Sequence, residues 1–442
     1  MYCQLDALCR CFPPSIRRAL KELPDTLDGT YERTLQEIPK QKRQHAHRLF
    51  QCLVAAIRPL RVEELGEIFT IEFDADAAYN LVEDWRPENP EEAVLSACST
   101  LISVIDDKDG KIVQFSHFSV KEFLTSDRFQ TSDIGNNFRY YVPLDDAHMI
   151  LARACLTVLL QLDEKADRRC LATFPLAFYA AQNWVDHAKF GNVTARIQDA
   201  MEHLFDPKES HFGTWIWMHD VELEDKRTMN DLAERPLRPE KTPLYYAAFC
   251  GFIGLTKYLI VTHGEDVNAE CGRHRSPLHA ASHQGHADVA RLLLDHGADV
   301  NSRKGFRRIP LRITYDRGHI EAMRVLLEHG ADVDMRMDNV FGTLLHDASY
   351  HGQAEIVRLL LRHNADVNAR SLWKKTPLHF ASEEGHTKVV RLLLERGADV
   401  HAKDGSNDTP LANATQNQHH DIVQLLLEHD LEQGRGATIN AA

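Results

Sequence analysis

Residues 375–401 read KTPLHFASEEGHTKVVRLLLERGADVH, and this stretch contains the pattern that decides the fold of the second half of the chain. Thr376 can cap a helix with its hydroxyl, and Pro377 can occupy the first helical turn, where the N–H that proline lacks has no helical partner. An apolar stripe at helical spacing follows Gly385, and Gly397 stands where a helix ends in the left-handed conformation. The stretch therefore predicts two short helices with a glycine after each.

The same pattern occurs six times, with openings at residues 241, 275, 308, 342, 375 and 408. The openings read KTPLYYAAFCG, RSPLHAASHQG, RIPLRITYDRG, GTLLHDASYHG, KTPLHFASEEG and DTPLANATQNQ, at steps of 33 or 34 residues. Each is followed by an apolar helical stripe and then by a turn such as HGADVN or RGADVH. One such unit cannot bury its apolar face alone, so neighbouring units must stack into a continuous core.

The period of 33 or 34 residues and these sequence motifs resemble the ankyrin family, over six repeats that span residues 241–430. The resemblance implies an α-helical solenoid that binds another macromolecule and performs no chemistry of its own. Four glycines are expected to end second helices, with asparagine in the same role in the fourth repeat: Gly264, Gly297, Gly330, Gly397 and Asn364. Small side chains at one register of the first helix would let neighbouring helices approach closely: Ala247, Ala281, Ala348, Ala381 and Ala414.

The third repeat departs from the pattern. Ile309 stands where the capping hydroxyl belongs, Thr314 takes the small-residue register, and Tyr315 lies beside it. A missing cap lowers stability by ~1 kcal/mol. We therefore expect local opening of the stack to begin in this repeat.

The second half contains 17 histidines, which raises the alternative of a metal or catalytic site. His279, His346 and His379 lie in the TPLH-type word, and His286, His319 and His386 follow the glycine between the two helices. The family pattern supplies histidine at both places for structural hydrogen bonds. Nine cysteines are scattered, and the CxC spacing of Cys9 and Cys11 matches no common zinc or redox motif. The sequence therefore predicts neither a metal site nor a cofactor.

The first half predicts another architecture. Residues 48–57 and 61–71 form amphipathic helical patterns, and a third helix fits residues 90–105. Asp109-Gly110 then makes a turn between ISVIDD and KIVQFSH, two short strands of a hairpin, and SVKEFLTSD closes the unit. Three helices followed by a hairpin is the order of a winged helix.

The words PLRVEEL and VQFSHFSVKEFL resemble the winged-helix module found behind NACHT nucleotide-binding domains in fungal receptor-like proteins. The resemblance implies a mostly α chain of six parts: 1–44, the helical tail of a NACHT-like domain; 45–130, a winged-helix-like domain; 140–205, a helical connector; 206–240, a linker; 241–430, the repeats; and 431–442, a frayed tail. In the linker, Trp215 and Trp217 are expected to seal the first repeat. Within that family the nucleotide-binding core is a regulated switch, and the repeats sense a ligand or partner.

The chain departs from that family because a Walker A loop needs glycines that end in Gly-Lys-Ser/Thr, and Gly110-Lys111 is followed by Ile112. No GxSxG nucleophile elbow occurs either. The acidic clusters Glu63-Glu64 and Glu222–Asp225 are interpreted as solvated faces or linkers rather than catalytic pairs. The sequence thus predicts a non-enzyme that looks like the C-terminal portion of such a receptor, either a fragment or a short gene product.

A winged helix also raises the hypothesis of a DNA-binding regulator. The net charge is −14, and residues 1–240 contain 28 Lys and Arg against 40 Asp and Glu. The candidate recognition helix has Glu91 and Glu92 and no basic residue, and Lys108, Lys111 and Lys121 near the hairpin are few. Protein interaction is therefore favoured over binding to nucleic acid, a membrane or a small-molecule substrate. With no apolar run of 18 residues and no signal h-region, a cytoplasmic location is expected, or a nuclear one.

The turns between consecutive repeats, which we call fingers, would present the partner-binding residues. They form a cationic strip with two aromatic side chains: Arg273, Arg275, Arg303, Lys304, Phe306, Arg307, Arg308, Arg336, Arg370, Leu372, Trp373, Lys374 and Lys375. Arg and Lys also keep loops soluble, but an exposed Trp373 or Phe306 has no folding benefit, and aromatics with Arg are enriched at interface hot spots. The sequence predicts an acidic protein segment across fingers two to five, with Trp373 near its centre.

Overall fold

The computed structural model describes residues 27–73, 79–108, 110–130, 140–223, 242–274, 276–303, 309–336 and 342–439. Its described residues are mostly α-helical, which confirms the predicted fold class. The chain divides into two units, Met1–Pro243 with Gly254–Gly264, and Leu244–Ile253 with Glu265–Ala442. Among the described helices, none is long and apolar enough to cross a bilayer.

The first unit begins with a winged helix. Its elements are helices Leu27–Glu37, Arg43–Ala55, Val62–Ile68, Pro90–Cys98, Phe118–Leu124 and Asp127–Gln130, with strands β1 (Leu60–Arg61), β2 (Ile102–Asp107) and β3 (Gly110–Phe115). The strands form an antiparallel sheet in the order β1-β3-β2, and β2 and β3 are the predicted hairpin. Val113 at the centre of β3 pairs with both neighbouring strands and is buried.

The third helix is shorter than the sequence predicts. Asn89 caps it by accepting from the Glu92 N–H at 3.2 Å, but the helix ends at Cys98 instead of residue 105. From Ile102 onward the chain pairs with β3 in register, starting opposite Phe115. Cross-strand pairing of β-branched residues therefore overrides the helical pattern in this segment.

The helix Leu27–Glu37 lies in the segment that the sequence analysis assigned to an upstream domain. Tyr31, which is 2% exposed, has its hydroxyl 2.8 Å from the Ser119 Oγ. Its ring lies 5.4 Å from that of Phe123. This helix therefore packs on the helix Phe118–Leu124 that closes the winged helix.

The connector follows as a bundle with helices Leu144–Leu159, Arg168–Ala172, Ala177–Ala188, Val193–Arg196, Gln198–Leu204 and His211–Met218. The last of these lies in the segment expected to be a linker. Trp215 is fully buried, its Nε1 donates to the Ala181 carbonyl at 3.0 Å, and its ring lies 5.2 Å from Trp184. Residues 211–218 are therefore part of the connector, because their aromatic side chains complete its core.

Glu67 on the helix Val62–Ile68 joins the winged helix to the connector, and Glu64 on the same helix binds Arg58, whose guanidinium carbon lies 4.9 Å from the Tyr179 ring centre. Glu64 is 2% exposed and accepts two hydrogen bonds from Arg58, at 2.9 and 2.5 Å. Glu67 accepts from the Leu176 N–H at 2.6 Å, at the start of the helix Ala177–Ala188. The interpretation of Glu63-Glu64 as a solvated face is correct for Glu63, which is exposed, and wrong for Glu64.

The second unit contains five complete repeats and the first helix of the repeat before them. The helix pairs, in chain order, are Pro243–Cys250 and Ile253–His263, Pro277–Gln284 and Ala287–Asp295, Pro310–Arg317 and Ile320–Glu328, Leu344–Tyr350 and Ala354–Arg362, Pro377–Glu383 and Thr387–Glu395, and Pro410–Gln416 and His420–Ile439. Of the first pair, Ile253–His263 belongs to the first unit. The five residues expected to end second helices all have φ between 63° and 87°, as predicted.

The helix starts differ in their caps. Thr376 and His379 form a reciprocal capping pair, and the Thr409 Oγ1 accepts from the Ala412 N–H at 3.2 Å. Ile309 offers no side-chain cap, so the helix of the third repeat lacks this bond, as its sequence predicts.

The TPLH histidines connect each helix start to the next finger. The His379 Nδ1 accepts from the Thr376 N–H at 3.1 Å, and its Nε2 lies 3.2 Å from the Asp408 carbonyl oxygen. Because Nδ1 accepts, Nε2 carries the proton and donates. Burial lowers the pKa of the equivalent His346 to about 4, which keeps that ring neutral. The structural interpretation of these histidines is confirmed.

A second set of histidines connects the loops between helices. Each Nε2 lies 2.8–3.1 Å from a carbonyl oxygen of the preceding repeat, in the pairs His286–Phe249, His319–His283, His386–Tyr350 and His419–Glu383. Each ring also covers a glycine of that repeat. A Cβ added at Gly385, for example, would lie 2.7 Å from His419. The close stacking of neighbouring repeats therefore requires glycine here.

The last helix continues where the other repeats end theirs. Asp430 replaces the glycine or asparagine of the earlier repeats, and the helix runs on to Ile439. With no left-handed residue at this position, the backbone has no local reason to leave the helix. Helical backbone therefore occupies most of the segment that was expected to fray.

The capping contact generates a first prediction. We expect Thr376→Ala to lower the free energy of unfolding by about 1–2 kcal/mol, because it removes the cap and the 2.8 Å contact between the Thr376 Oγ1 and the His379 Nδ1. Urea unfolding of the full chain, followed by hydrogen exchange in the fifth repeat, measures the change. Thr387→Ala is the matched control, since the structure gives the Thr387 side chain no hydrogen bond. Equal losses for the two variants would contradict the capping role.

Glu67 generates a second prediction. Burial is the main cause that raises the pKa of this carboxyl to about 7, so between about pH 4.5 and 7 the folded chain holds a proton that the unfolded chain releases. Stability contributed by this group therefore falls as the pH rises through that window. We expect the free energy of unfolding of Glu67→Gln not to show this fall with pH. Urea unfolding of parent and variant between about pH 4.5 and 7 measures the difference. Glu63→Gln, on the exposed side of the same helix, is the control, and parallel curves for parent and Glu67→Gln would refute the assignment.

Candidate partner-binding surface

The finger between the fourth and fifth repeats, Arg370–Lys375, is a closed turn. The Ser371 N–H donates to the Lys375 carbonyl at 2.9 Å, and the Lys374 N–H donates to the Ser371 carbonyl at 3.0 Å. Lys374 has a φ of 57°, a left-handed conformation that is uncommon outside glycine. The finger therefore has a defined backbone rather than an open loop geometry.

Trp373 and Leu372 form the exposed apolar tip of this finger. Their side chains are 48% and 67% exposed. The Trp373 carbonyl accepts from the Gly405 N–H of the next finger at 2.8 Å, and a Cβ at Gly405 would lie 3.0 Å from that oxygen. The main chain at Trp373 is thus fixed by the backbone of the following finger.

Aromatic rings support the tip from the helices. The Trp373 ring lies 6.5 Å from Phe380, and Phe380 lies 6.1 Å from Tyr350. Phe380 is buried, while Tyr350 is half-buried on the first helix of the fourth repeat. The sequence analysis missed both residues, because only stacking of the two repeats brings them beneath Trp373.

Two arginines at equivalent positions of consecutive repeats, Arg336 and Arg370, connect one finger to the next. The Arg370 Nη1 donates to the carbonyls of Lys374 at 2.8 Å and Lys403 at 2.6 Å. The Arg336 Nη2 donates to the Arg370 carbonyl at 3.4 Å. Carbonyl acceptors fix a guanidinium without neutralising it, so these side chains remain a source of positive potential. Exposed Lys403 extends this column, and its shared register with Arg370 is the sequence signal that would have identified it.

The remaining predicted residues are placed differently. Lys375 is paired, with its Nζ 2.5 Å from the Glu383 Oε2 and 5.6 Å from the Phe380 ring centre, so it adds no net charge to the strip. Arg273 and Arg303 are exposed on their own fingers. Five predicted residues lie outside the described ranges: Arg275, Lys304, Phe306, Arg307 and Arg308.

The winged helix has an acidic surface at the position that would read DNA. Its third helix, Pro90–Cys98, presents Glu91, whose Oε2 lies 2.7 Å from the Lys111 Nζ on β3. The hairpin lysine that could contact a phosphate is therefore paired with a carboxylate of the candidate recognition helix.

The buried histidines of the connector form a chain of neutral groups. Tyr179 accepts from the Ile57 N–H at 3.3 Å, so its hydroxyl proton points to the His187 Nε2 at 2.9 Å. The His187 Nδ1 lies 2.9 Å from the His148 Nδ1, and burial lowers the pKa of His187 to about 3. The ring therefore serves as a structural donor and acceptor at neutral pH. Across the described ranges, no three His, Cys, Asp or Glu side chains are placed to hold a metal ion.

Comparison with known proteins agrees with this architecture. The family model "Ankyrin repeats (3 copies)" matches residues 217–304, 302–371 and 368–441, just over half of the chain. The model "GPI inositol-deacylase, winged helix domain" matches residues 31–136. A relative from Monascus ruber, "Azaphilone pigments biosynthesis cluster protein L", is 30% identical over 290 residues. That match covers 62% of this chain and 60% of the relative, so the chain spans less than two thirds of the relative's length.

The winged-helix match confirms the winged helix predicted in the first half. It begins at residue 31, inside the segment 1–44 assigned to a NACHT-like tail, in agreement with the packing of Tyr31 on Phe123. The repeat match covers every finger described above. The chain therefore belongs to the ankyrin-repeat family, with its repeats following a winged-helix domain of the GPI inositol-deacylase type.

Proposed function

We propose that this chain is a non-catalytic interaction scaffold whose repeats capture an acidic segment of another protein along the fingers, centred on Trp373. The observation that carries the proposal is the exposed apolar tip of Trp373 and Leu372 on a finger with a closed backbone. An aromatic side chain that is already held in place loses little conformational freedom when a partner covers it. Such an anchor favours binding because the entropy cost of ordering the side chain arises when the protein folds and not when the partner binds.

The charge around the tip supports an acidic partner. Three basic side chains near the tip are exposed: Arg336, Arg370 and Lys403. The two arginines donate to carbonyl oxygens, and no acceptor is described for Lys403, so the positive potential of all three is available to a partner. The finger after Lys403 contains Asp404 and Asp408, where the basic column ends. An acidic segment centred on Trp373 would therefore end near Lys403 on one side and cross the earlier fingers on the other.

The order of modules supports a regulatory role. A winged helix of the NACHT-associated type precedes the repeats, and this arrangement fits the sensing half of a NACHT-type signalling receptor in the cytoplasm. The acidic third helix, with Glu91 paired to Lys111, favours protein packing over duplex DNA at the winged helix. A shift of duplex DNA in a gel that weakened with salt would support the DNA-binding alternative instead.

Trp373→Ala tests the proposed anchor. The full chain is panned against a display library of random peptides, and we expect the selected peptides to be rich in Asp and Glu. Calorimetry with a selected peptide should show a binding free energy weaker by about 2 kcal/mol or more in the variant, because the variant lacks the central aromatic anchor that the peptide would cover. Higher salt should slow association with the parent.

Trp85→Ala is the matched control, since Trp85 is 53% exposed but lies in the winged helix. Thermal unfolding of both variants verifies that the fold is retained. Equal affinities of the parent and Trp373→Ala for the same peptide would exclude the finger as the anchor. Selected peptides without acidic enrichment would exclude the charge complementarity.

A further inference from the structure

We propose that the boundary between the third and fourth repeats is a flexible joint, at which the stack bends and opens as two blocks. Three kinds of side chain recur at contacts between repeats: the bridging asparagine, the histidine of the inter-helix loop and the histidine of the TPLH pattern. At this boundary all three are replaced by other residues. The proposal concerns the mechanics of the repeats and does not depend on the function proposed above.

The first change is Asp334, which replaces an asparagine. At three other boundaries the asparagine side chain bridges two backbone groups of the next repeat. Asn368, for example, donates to the Gly397 carbonyl at 3.2 Å and accepts from the Asp399 N–H at 2.8 Å. Asp334 accepts from the Asp366 N–H at 3.0 Å, but a carboxylate has no N–H to donate to the carbonyl of Asn364. One inter-repeat bond is therefore missing.

Asp334 also brings charge to the boundary. Burial is the main cause that raises the pKa of its carboxyl, and the neighbouring carboxylates of Asp366 and Asp332 raise it further against the opposing bond from the Asp366 N–H. At neutral pH these like charges repel each other, whereas three other boundaries have the neutral amide of Asn268, Asn301 or Asn368 at this register. The boundary is therefore weakened by repulsion as well as by the missing donor.

The second change is Gln353, which stands at the loop position where repeats two, three, five and six have a histidine. At the other boundaries that ring donates to a carbonyl and covers the preceding glycine, as His386 does over Gly352. The structure gives Gln353 no side-chain hydrogen bond, and a Cβ at Gly318 would meet no atom within 4 Å. The space that an imidazole fills elsewhere is therefore open here.

The third change lies between the first helices. Arg312 takes the register of the TPLH histidine, and it pairs with Asp316 at 2.7 Å and with Asp347 at 3.7 Å. Asp347 is 5% exposed and takes the register that Ala280 and Phe380 have in other repeats. A buried ion pair contributes less cohesion than apolar packing of the same volume, because both charges lose their hydration.

The helix spacing agrees with these substitutions. The first helices of the third and fourth repeats, Pro310–Arg317 and Leu344–Tyr350, lack the close backbone approach seen from repeat two to three and from repeat four through six. The same holds for the second helices, Ile320–Glu328 and Ala354–Arg362. The first helices of repeats one and two are also spread, but that boundary keeps both its histidine and its asparagine bonds, through His286 and Asn268.

A joint at this place has a mechanical consequence for the fingers. Arg273 and Arg303 precede it along the stack, and Trp373 follows it. A small change of angle between the blocks alters the separation of these two parts of the surface. In a linear array, stability is a sum of repeat and boundary contributions, so one weak boundary divides the array into separately opening blocks.

Restoring the regular residues tests the joint. Asp334→Asn supplies the missing donor, and Gln353→His places an imidazole over Gly318, with the Asp316 carbonyl as the equivalent acceptor. Hydrogen exchange of the full chain is followed by mass spectrometry along a urea gradient. In the parent, we expect repeats two and three to lose protection at a different urea concentration from repeats four to six. In the double variant the two transitions should converge, and exchange in Ile320–Glu328 and Ala354–Arg362 should slow by roughly tenfold or more.

A matched control transfers the defect to the next boundary. Asn368→Asp with His386→Gln creates the same two substitutions between repeats four and five, and we expect repeats five and six to lose protection as a separate block. Each single restoring variant should slow exchange by roughly fivefold, which keeps the test decisive if the double variant folds poorly. A single common transition in the parent, or unchanged exchange in folded restoring variants, would overturn the joint.

Discussion

The repeats are held in stack by hydrogen bonds from neutral imidazole N–H groups to backbone carbonyls of the adjoining repeat. Burial keeps rings such as His346 uncharged, so that one nitrogen accepts at a helix start and the other donates across the boundary. The covered glycines and the helix caps both depend on this arrangement. Gly385 has to lack a side chain because His419 lies on it, and the Thr376 hydroxyl is needed at the helix start because its Oγ1 lies 2.8 Å from the His379 Nδ1.

The first unit uses a different chemistry for the same purpose. Its winged helix and connector meet where Glu67 accepts from the N–H of Leu176 and where Arg58, held by Glu64, lies over the Tyr179 ring. A carboxylate at a helix start satisfies an N–H that has no partner within the helix. Carboxyl groups thus hold this junction in the first unit, and imidazoles hold neighbouring repeats in the second.

Much of this architecture could be predicted from the sequence because the repeats are periodic. Capping residues, terminating glycines and the missing cap at Ile309 are local signals, and the structure has them where they were predicted. Signals that depend on packing were missed. The burial of Glu64, the connector helix around Trp215 and the support of Trp373 by Phe380 arise from contacts between distant segments, which a single sequence does not reveal. At the third helix of the winged helix, strand pairing prevailed over an apolar pattern that also suits a helix.

The bond from Gly405 to the carbonyl of Trp373 has a consequence for protein engineering. The main-chain position of that tryptophan is set by the backbone of the finger after it, and by the absence of a side chain at Gly405. A binding surface of this type is therefore not contained in one repeat. A graft that moved the fourth and fifth repeats into another scaffold would carry the tryptophan but lose the hydrogen bond to its carbonyl, so the smallest transferable module also includes the finger that ends in the sixth repeat.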